Sequence, residues 1–128
     1  MAKLQHVLCI DDEPDILEVA QMALEMVGGL RVTCLSHSRA AVAVAQSALP
    51  DVILIDVMMP EQDGPSTLAA LKAEPAVAHI PVIFMTARVQ PAEQAQYLAL
   101  GAAGVVPKPF DPMTLAAQIT QLWEAAHG

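Results

Sequence analysis

The segment His6-Val-Leu-Cys-Ile10 runs directly into two carboxylates, Asp11 and Asp12. The same arrangement, a short apolar run and then a polar residue, recurs along the chain: Asp56 follows Val52-Ile-Leu-Ile55, Thr86 follows Val82-Ile-Phe-Met85, and Lys108 stands just past Val105-Val106. Such runs, rich in Val and Ile and separated by helical stretches, are typical of parallel strands buried on both faces of a sheet. Ligands of open parallel sheets bind outside the carboxyl ends of the strands. The sequence therefore predicts one site at that edge, made of three carboxylates, a hydroxyl and an ammonium.

Helical patterns fill the segments between these strands. Pro14 fits the first turn of a helix and Gly28-Gly29 a helix end, so we predict a helix over about residues 15–27. Residues 30–35 form a predicted strand whose alternating Arg31 and Thr33 favour a sheet edge. The other predicted elements are a helix over residues 39–49 capped by the hydroxyls of Ser36-His37-Ser38, a helix from Pro65 to near Glu74-Pro75, a helix from Pro91 to Gly101, a strand over residues 104–106, and a helix after Asp111-Pro112.

These elements alternate as (βα)5 without a linker or repeat, which indicates an α/β fold in one domain over residues 1–128. Pro107 cannot donate to a strand ladder, so the fifth strand is predicted at the other edge. Right-handed crossovers then give a doubly wound parallel sheet of flavodoxin-like order 2-1-3-4-5. In that order Asp11, Asp12 and Asp56 flank the crevice where the crossover direction reverses.

Composition excludes several classes of function. A formal charge of −8 disfavours nucleic-acid binding, and 3 % aromatic residues disfavour a site that stacks bases or flavin rings. No run approaches the length of a membrane span, so we expect a cytoplasmic protein without membrane contact. Cys9 and Cys34 lack the spacing of a zinc or redox motif and are expected to be buried, reduced thiols, although pairing of their strands would make them neighbours. The four histidines are scattered and are expected in surface or loop positions.

The five polar residues suit phosphoryl transfer to a carboxylate. Carboxylates about 4 Å apart repel one another by about 4 kcal/mol per pair at an effective dielectric near 20, and Mg²⁺ relieves this repulsion with its preference for oxygen ligands. Asp56 ends the most apolar strand and is the candidate nucleophile, which would form an acyl phosphate. Lys108 offers a point charge and Thr86 a hydroxyl to the phosphoryl oxygens. Before phosphorylation, Lys108 and Asp56 are predicted to form an ion pair.

Several motifs resemble those of receiver domains of two-component response regulators, and the resemblance covers essentially the whole chain. Individually these motifs are weak, but their order and spacing together are specific. The matching stretches are Val7-Leu-Cys-Ile-Asp-Asp-Glu-Pro14, Leu54-Ile-Asp-Val-Met-Met-Pro60 with Asp63-Gly64, Phe84-Met-Thr-Ala87, Gly101-Ala-Ala-Gly104 and Lys108-Pro-Phe110.

The resemblance implies a phosphorylation-controlled signalling switch of a phosphorelay. It implies Asp56 as phosphoacceptor, and Asp11, Asp12, Asp56 and the backbone carbonyl of Met58 as ligands of Mg²⁺, with Mn²⁺ as an alternative ion. Thr86 matches the hydroxyl that turns toward the phosphoryl group and Lys108 its partner lysine, in a cis Lys108-Pro109 peptide. The donor would be the phosphohistidine of a sensor histidine kinase or a histidine phosphotransfer protein. The domain would catalyse its own phosphorylation and dephosphorylation only, and would not otherwise be an enzyme.

Two features depart from the family pattern: an aromatic residue is missing shortly before Lys108, and Pro107, directly before the lysine, should stiffen the strand. The family usually has Tyr or Phe two or three residues before the lysine, where this chain has Val105, Val106 and Pro107. We therefore expect phosphorylation to move Thr86 and its loop, with less side-chain rotation on the output face around helix four, strand five and helix five. That face, with Val89, Gln94, Val105, Gln118 and Gln121, is uncharged and is predicted to bind an effector or a second copy of the chain. Met58 and Arg88 border the water route and are poor bases, which predicts an acyl phosphate that is not among the shortest-lived.

Three other functions remain open from the sequence. An aspartate-nucleophile phosphohydrolase of the haloacid-dehalogenase kind would carry a second Asp where Met58 stands. A flavodoxin-like electron carrier would need a Ser/Thr-rich loop after the first strand. A receiver used unphosphorylated, as a dimerisation or scaffold module, is disfavoured by the complete acidic set.

Overall fold

Five parallel strands form the centre of the protein in a computed structural model that describes residues 3–87 and 90–127, apart from the side chain of His127. The strands of this part of the chain are β1 (His6–Ile10), β2 (Arg31–Leu35), β3 (Val52–Asp56), β4 (Val82–Thr86) and β5 (Gly104–Pro107). The helices are α1 (Pro14–Met22), α2 (Ala41–Ala48), α3 (Gly64–Lys72), α4 (Pro91–Ala99) and α5 (Leu115–His127). The sheet order is β2-β1-β3-β4-β5, which confirms the predicted doubly wound fold.

Burial along the strands explains why their sequences differ. Every residue of β1, β3 and β4 is buried, because helices cover both faces of the central strands. β2 and β5 are the edge strands and are only partly buried, as their polar residues and Pro107 predicted. Asp56 and Thr86, the polar residues that end β3 and β4, are buried as well and lie at the edge where the chain leaves the sheet.

Two apolar layers hold the helices on the sheet. On one face, Leu24 in the turn after α1 and Leu115 of α5 pack with Val7 and Leu54. On the other face, α2 and α3 contribute Ala45 and Leu68, which pack with Ile53. Full burial of a Leu or Ile side chain stabilises the fold by about 1.5–3 kcal/mol. These layers fix the strands and leave the carboxyl edge free for polar residues.

The predicted first helix ends as expected but changes its geometry on the way. Residues Ala23–Val27 form a π-helical turn after α1, and the Gly28 N–H donates to the Ala23 carbonyl over 3.3 Å. Gly28 approaches α5 so closely that a Cβ would lie 2.6 Å from that of Ala116. Leu30 was predicted to start the second strand, but its N–H donates to the Leu24 carbonyl at 3.0 Å and completes the helix end. The strand therefore starts at Arg31.

The predicted capping role of Ser36-His37-Ser38 is wrong. The chain enters α2 through a 3₁₀ turn over Ser38–Ala40, with no side-chain cap in the described part of this turn. The Ser38 hydroxyl instead donates to the Gln62 carbonyl on another loop. The last helix starts later than predicted, because the Asp111 carboxylate accepts the Met113 N–H at 2.9 Å and forms a separate turn first.

Two expectations about single residues also fail. His6 is buried at the start of β1, where its Nε2 lies 2.7 Å from the Thr33 hydroxyl of β2. Cys34 is exposed, whereas Cys9 is buried, and both thiols are free although the two residues are aligned on neighbouring strands. Burial, followed by the nearby Cys34, raises the pKa of the Cys9 thiol, which keeps it protonated. Among the described helices, none has the length and apolarity needed to cross a membrane.

Candidate functional site

The carboxyl edge of the sheet brings the predicted site residues together. Asp11 follows the last residue of β1, Asp56 and Thr86 are the last residues of β3 and β4, and Lys108 follows β5. The Lys108 N–H donates to the Thr86 carbonyl at 2.9 Å, so the backbone of the lysine continues the pairing of the sheet. The side chain of Lys108 can therefore reach back across β4 toward the middle of the sheet.

Lys108 is the electrostatic centre of this site. Its Nζ lies 2.8 Å from Asp11 Oδ2 and 3.2 Å from Asp56 Oδ2, and 3.9 Å from the more exposed Glu13 carboxylate. The side chains of Lys108, Asp11 and Asp56 are 14 %, 0 % and 6 % exposed, so water screens these pairs weakly. The predicted ion pair between Lys108 and Asp56 is confirmed. The shorter contact with Asp11 was not predicted.

Burial and charge shift the pKa values of the two central groups. Burial raises the pKa of Asp56, and the Asp11 carboxylate adds to the rise, against the opposing Lys108 charge and a 3.3 Å hydrogen bond from the Met58 N–H. Burial alone would lower the pKa of Lys108, but its hydrogen bond and charge attraction to Asp11, followed by Asp56, raise it. Lys108 therefore stays charged near neutral pH. For Asp56, the attraction to Lys108 does not fully compensate for the burial of its negative charge.

Three hydrogen bonds orient Asp11. Its Oδ1 accepts the Glu13 N–H at 2.9 Å while its Oδ2 accepts Lys108, and its own N–H donates to the Leu35 carbonyl at 3.1 Å. Asp12 is exposed beside it. These bonds orient the buried Asp11 carboxylate toward the side of the crevice where Asp56 lies.

Four carboxylates at this edge form a group that could hold a metal ion. Asp11, Asp12, Glu13 and Asp56 each offer a ligand oxygen, and these atoms lie within 4.8 Å of one another. An all-oxygen set suits Mg²⁺ or Mn²⁺ better than a soft metal. The fit is supported by the local charge balance, because a single ammonium, that of Lys108, pairs with both buried carboxylates and can neutralise only one of their two charges. Glu13 was missed as a candidate ligand, although its position directly after Asp11-Asp12 was the signal that could have found it.

The remaining predicted residues lie at the border of the site. The Met58 N–H donates to the Asp56 carboxylate, while the Met58 side chain is 68 % exposed. Its carbonyl as a metal ligand stays a prediction. Thr86 is buried at the end of β4, and its hydroxyl role likewise stays a prediction. The Lys108-Pro109 peptide is cis, as the resemblance implied.

The positions that depart from the family pattern lie on β5. Val105 is partly buried, Val106 is buried and Pro107 is exposed. Arg88, which is predicted to border the water route, and Val89, which is predicted on the output face, lie outside the described residues. Gln94 and Gln118 on that face are partly buried and Gln121 is exposed.

Comparison with known proteins identifies the family. The model of the response regulator receiver domain matches residues 7–120. The response regulator Rre1 of Synechocystis sp. is 34 % identical over 122 residues, which are 95 % of this chain and 53 % of Rre1. The response regulator SaeR of Staphylococcus aureus is 33 % identical over 119 residues, 93 % of this chain and 50 % of SaeR. The chain thus spans about half the length of the curated relatives it matches.

A solved structure supports the same assignment over a whole chain. The chemotaxis response regulator CheY4 of Vibrio cholerae superposes with a TM-score of 0.85 at 30 % identity, covering 94 % of this chain and 99 % of that chain. The strand order, the acidic edge and the family match agree with one another. The chain belongs to the response regulator receiver domain family.

Proposed function

We propose that residues 1–128 form one receiver domain that acts as a phosphorylation-controlled switch in the cytoplasm. Asp56 accepts a phosphoryl group from a phosphohistidine of a sensor histidine kinase or a histidine phosphotransfer protein, and hydrolysis of the acyl phosphate resets the site. The observation that carries this proposal is the nearly buried Asp56 carboxylate with Lys108 Nζ at 3.2 Å. The two free thiols agree with a reducing compartment.

The phosphoryl transfer needs a nucleophile and a partner for the transferred charge. An Asp56 oxygen attacks phosphorus, the phosphorus–nitrogen bond of the donor breaks, and the leaving imidazole takes the bond electrons and a proton. Lys108, which pairs with Asp56 before the reaction, would then donate to an oxygen of the phosphoryl group on Asp56. Thr86 offers its hydroxyl from the neighbouring strand end. Most of the rate enhancement therefore comes from positioning and fixed charge.

The acidic edge is the proposed metal site. Asp11, Asp12, Asp56 and the Met58 carbonyl would hold Mg²⁺ or Mn²⁺, with Glu13 as a further carboxylate in reach. A bound Mg²⁺ supplies positive charge that offsets the carboxylates and the phosphoryl oxygens. Asp11 contributes by its fixed orientation, because its backbone and Oδ1 bonds keep Oδ2 turned toward the crevice.

Phosphorylation by a small phosphoryl donor tests the proposal. Wild-type protein incubated with acetyl phosphate or phosphoramidate and Mg²⁺ should gain one phosphoryl group by intact mass, and Asp56→Asn should gain none. Asp15→Asn, an exposed carboxylate in the first turn of α1, is the matched control and should react like wild type. Equal labelling of wild type and Asp56→Asn, or no labelling of either, would contradict the assignment of the phosphoacceptor.

Two further features follow from the same proposal. Met58 offers no base to an attacking water, so the acyl phosphate should outlast the seconds range, and loss of the mass gain within seconds would contradict this. The proposed output surface comprises α4, β5 and α5, and binds an effector or a second copy. A phosphorylated sample that changes neither its sedimentation nor its exchange pattern on these elements would indicate an unphosphorylated scaffold role instead.

A further inference from the structure

The loop between β3 and α3, residues 57–63, is held at its base and in its middle. The Gly64 N–H donates to the Val57 carbonyl at 2.9 Å, which closes the base of the loop. The side chain of Met59 is buried in the layer between the sheet and α2/α3. Met58, which precedes this buried side chain, therefore has its backbone fixed on both sides although its own side chain is exposed.

A third attachment of this loop comes from a different part of the chain. Ser38, the first residue of the 3₁₀ turn after β2, is 1 % exposed, and its hydroxyl donates to the Gln62 carbonyl at 2.6 Å. The Gln62 amide donates in turn to the Thr67 hydroxyl at 3.0 Å, and that hydroxyl donates to the Asp63 carbonyl at 2.9 Å. A buried hydroxyl bonded to a loop carbonyl in this way helps to order the loop, because it ties the loop to a side chain that is itself held in the interior.

The segment that carries Ser38 also bonds to the other side of the site. Leu35 at the end of β2 accepts the Asp11 N–H at 3.1 Å, and Ser38 follows three residues later. Residues 35–38, the β2 corner, therefore bond to Asp11 through Leu35 and to the loop of Met58 through Ser38. A second contact from this corner, His37 Nδ1 to Glu61 at 3.2 Å, is exposed at both ends and contributes little.

We propose that Ser38 is a positioning residue for the metal and phosphoryl site. Its hydroxyl fixes the loop of Met58 relative to Asp11 and Asp56, so that carboxylate and backbone oxygens converge on one ion. This inference rests on the proposed function, because it concerns the same site. Partners that orient metal ligands from outside the ligand set typically change metal affinity by about 10- to 100-fold when removed.

Replacement of Ser38 separates its positioning role from general stability. In Ser38→Ala the Gln62 carbonyl loses its donor, and we expect about tenfold weaker Mn²⁺ binding, the low end of that range. The binding is measured by titration with Mn²⁺, followed by the paramagnetic resonance signal of the free ion. Hydrogen exchange of the amides of residues 58–63 should become faster. Phosphorylation by acetyl phosphate should need about tenfold more metal for its half-maximal rate, with a rate at saturating metal within about twofold of wild type.

Two further variants make the test decisive. Ser36→Ala, an exposed serine of the same corner, should bind Mn²⁺ and exchange like wild type. Ser38→Cys fills the space that alanine leaves empty, with a somewhat larger thiol that is only a weak donor. Its Mn²⁺ affinity and loop exchange should therefore resemble those of Ser38→Ala. Wild-type affinity and unchanged loop exchange in both Ser38 variants would overturn the inference. If wild type itself neither binds Mn²⁺ nor accepts a phosphoryl group, the proposed function fails; if it does both, only the role of Ser38 is in question.

Discussion

Replacement of Lys108 by Met should destabilise the metal-free protein and make its stability strongly dependent on magnesium. The ammonium lies 2.8 Å from Asp11 and 3.2 Å from Asp56, and all three side chains are largely buried. At an effective dielectric near 20, each attraction is worth about 5–6 kcal/mol before desolvation is subtracted. Without Lys108, the two carboxylates have ligand oxygens within 4.8 Å and repel one another by about 3–4 kcal/mol.

The net loss is smaller than these sums, because the variant no longer has to desolvate the ammonium. Removing one partner of a buried ion pair typically costs about 3–5 kcal/mol, so we expect Lys108→Met to lower the free energy of unfolding by about 3 kcal/mol. For a domain of this size the midpoint of thermal unfolding should fall by about 10 °C. Magnesium should restore much of the loss, since the carboxylates no longer bind a competing ammonium.

Urea unfolding with and without excess Mg²⁺ measures both effects. The Mg²⁺-dependent gain in unfolding free energy should be larger in Lys108→Met than in wild type by about 1 kcal/mol or more. Lys72→Met is the matched control: Lys72 is exposed and donates to the Ala78 carbonyl at 3.3 Å, so its loss should cost less than about 0.5 kcal/mol. The reasoning is refuted if Lys108→Met is as stable as wild type without metal, or if Mg²⁺ stabilises both proteins equally.

Three other perturbations test the surroundings of the site. Gly64→Ala should lower stability by about 1–3 kcal/mol in urea, because its Cβ would lie 2.9 Å from Val57 Cα. Burial, followed by the charge of Arg31, lowers the pKa of His6, so the folded state binds fewer protons than the unfolded state below the ordinary value of 6.5. Stability should therefore fall as pH drops below about 6.5, and His6→Gln should flatten this slope in unfolding curves measured between pH 5 and 7.5. Tyr97→Leu should lose about 0.5–1.5 kcal/mol of ring contact and speed hydrogen exchange in α4 before other helices.

The fold could be predicted because its strongest signal is local. Buried parallel strands need continuous apolar runs, which β1, β3 and β4 have. β2 and β5 contain polar residues or proline instead, and this difference predicts that they are the edge strands. The errors fall where a distant contact decides the local conformation. Gly28 lies against Ala116 of α5 at the end of the π-helical turn, and His6 is buried because β2 provides the Thr33 hydroxyl as a partner.

The residues of the site could be predicted from the strand order, but their contacts could not. Strand ends of a parallel sheet share one edge, so Asp11, Asp56 and Lys108 could be brought together without knowing any distance. The 2.8 Å contact between Lys108 and Asp11 could not, because it depends on how the lysine side chain crosses β4. The sequence around Ser38 predicts a helix cap for the same reason, because the actual partner of its hydroxyl, the Gln62 carbonyl, is 24 residues away in the chain.

β5 has no aromatic residue, but an aromatic contact links the neighbouring strand β4 to α4. Val105 is the register partner of Phe84 on β4, and the fully buried Phe84 ring meets Tyr97 of α4 edge-on, with centroids 5.2 Å apart and planes at 81°. A Cβ on Gly64 would lie 3.2 Å from Phe84, so the start of α3, where the loop that follows Asp56 ends, also lies close to this ring. Because α4 has no fully buried residue in its own span, Tyr97 is a main apolar attachment of that helix to the sheet. A shift of β4 or of the loop after Asp56 should therefore reach α4 through Phe84, while the small Val105 side chain has little to rotate.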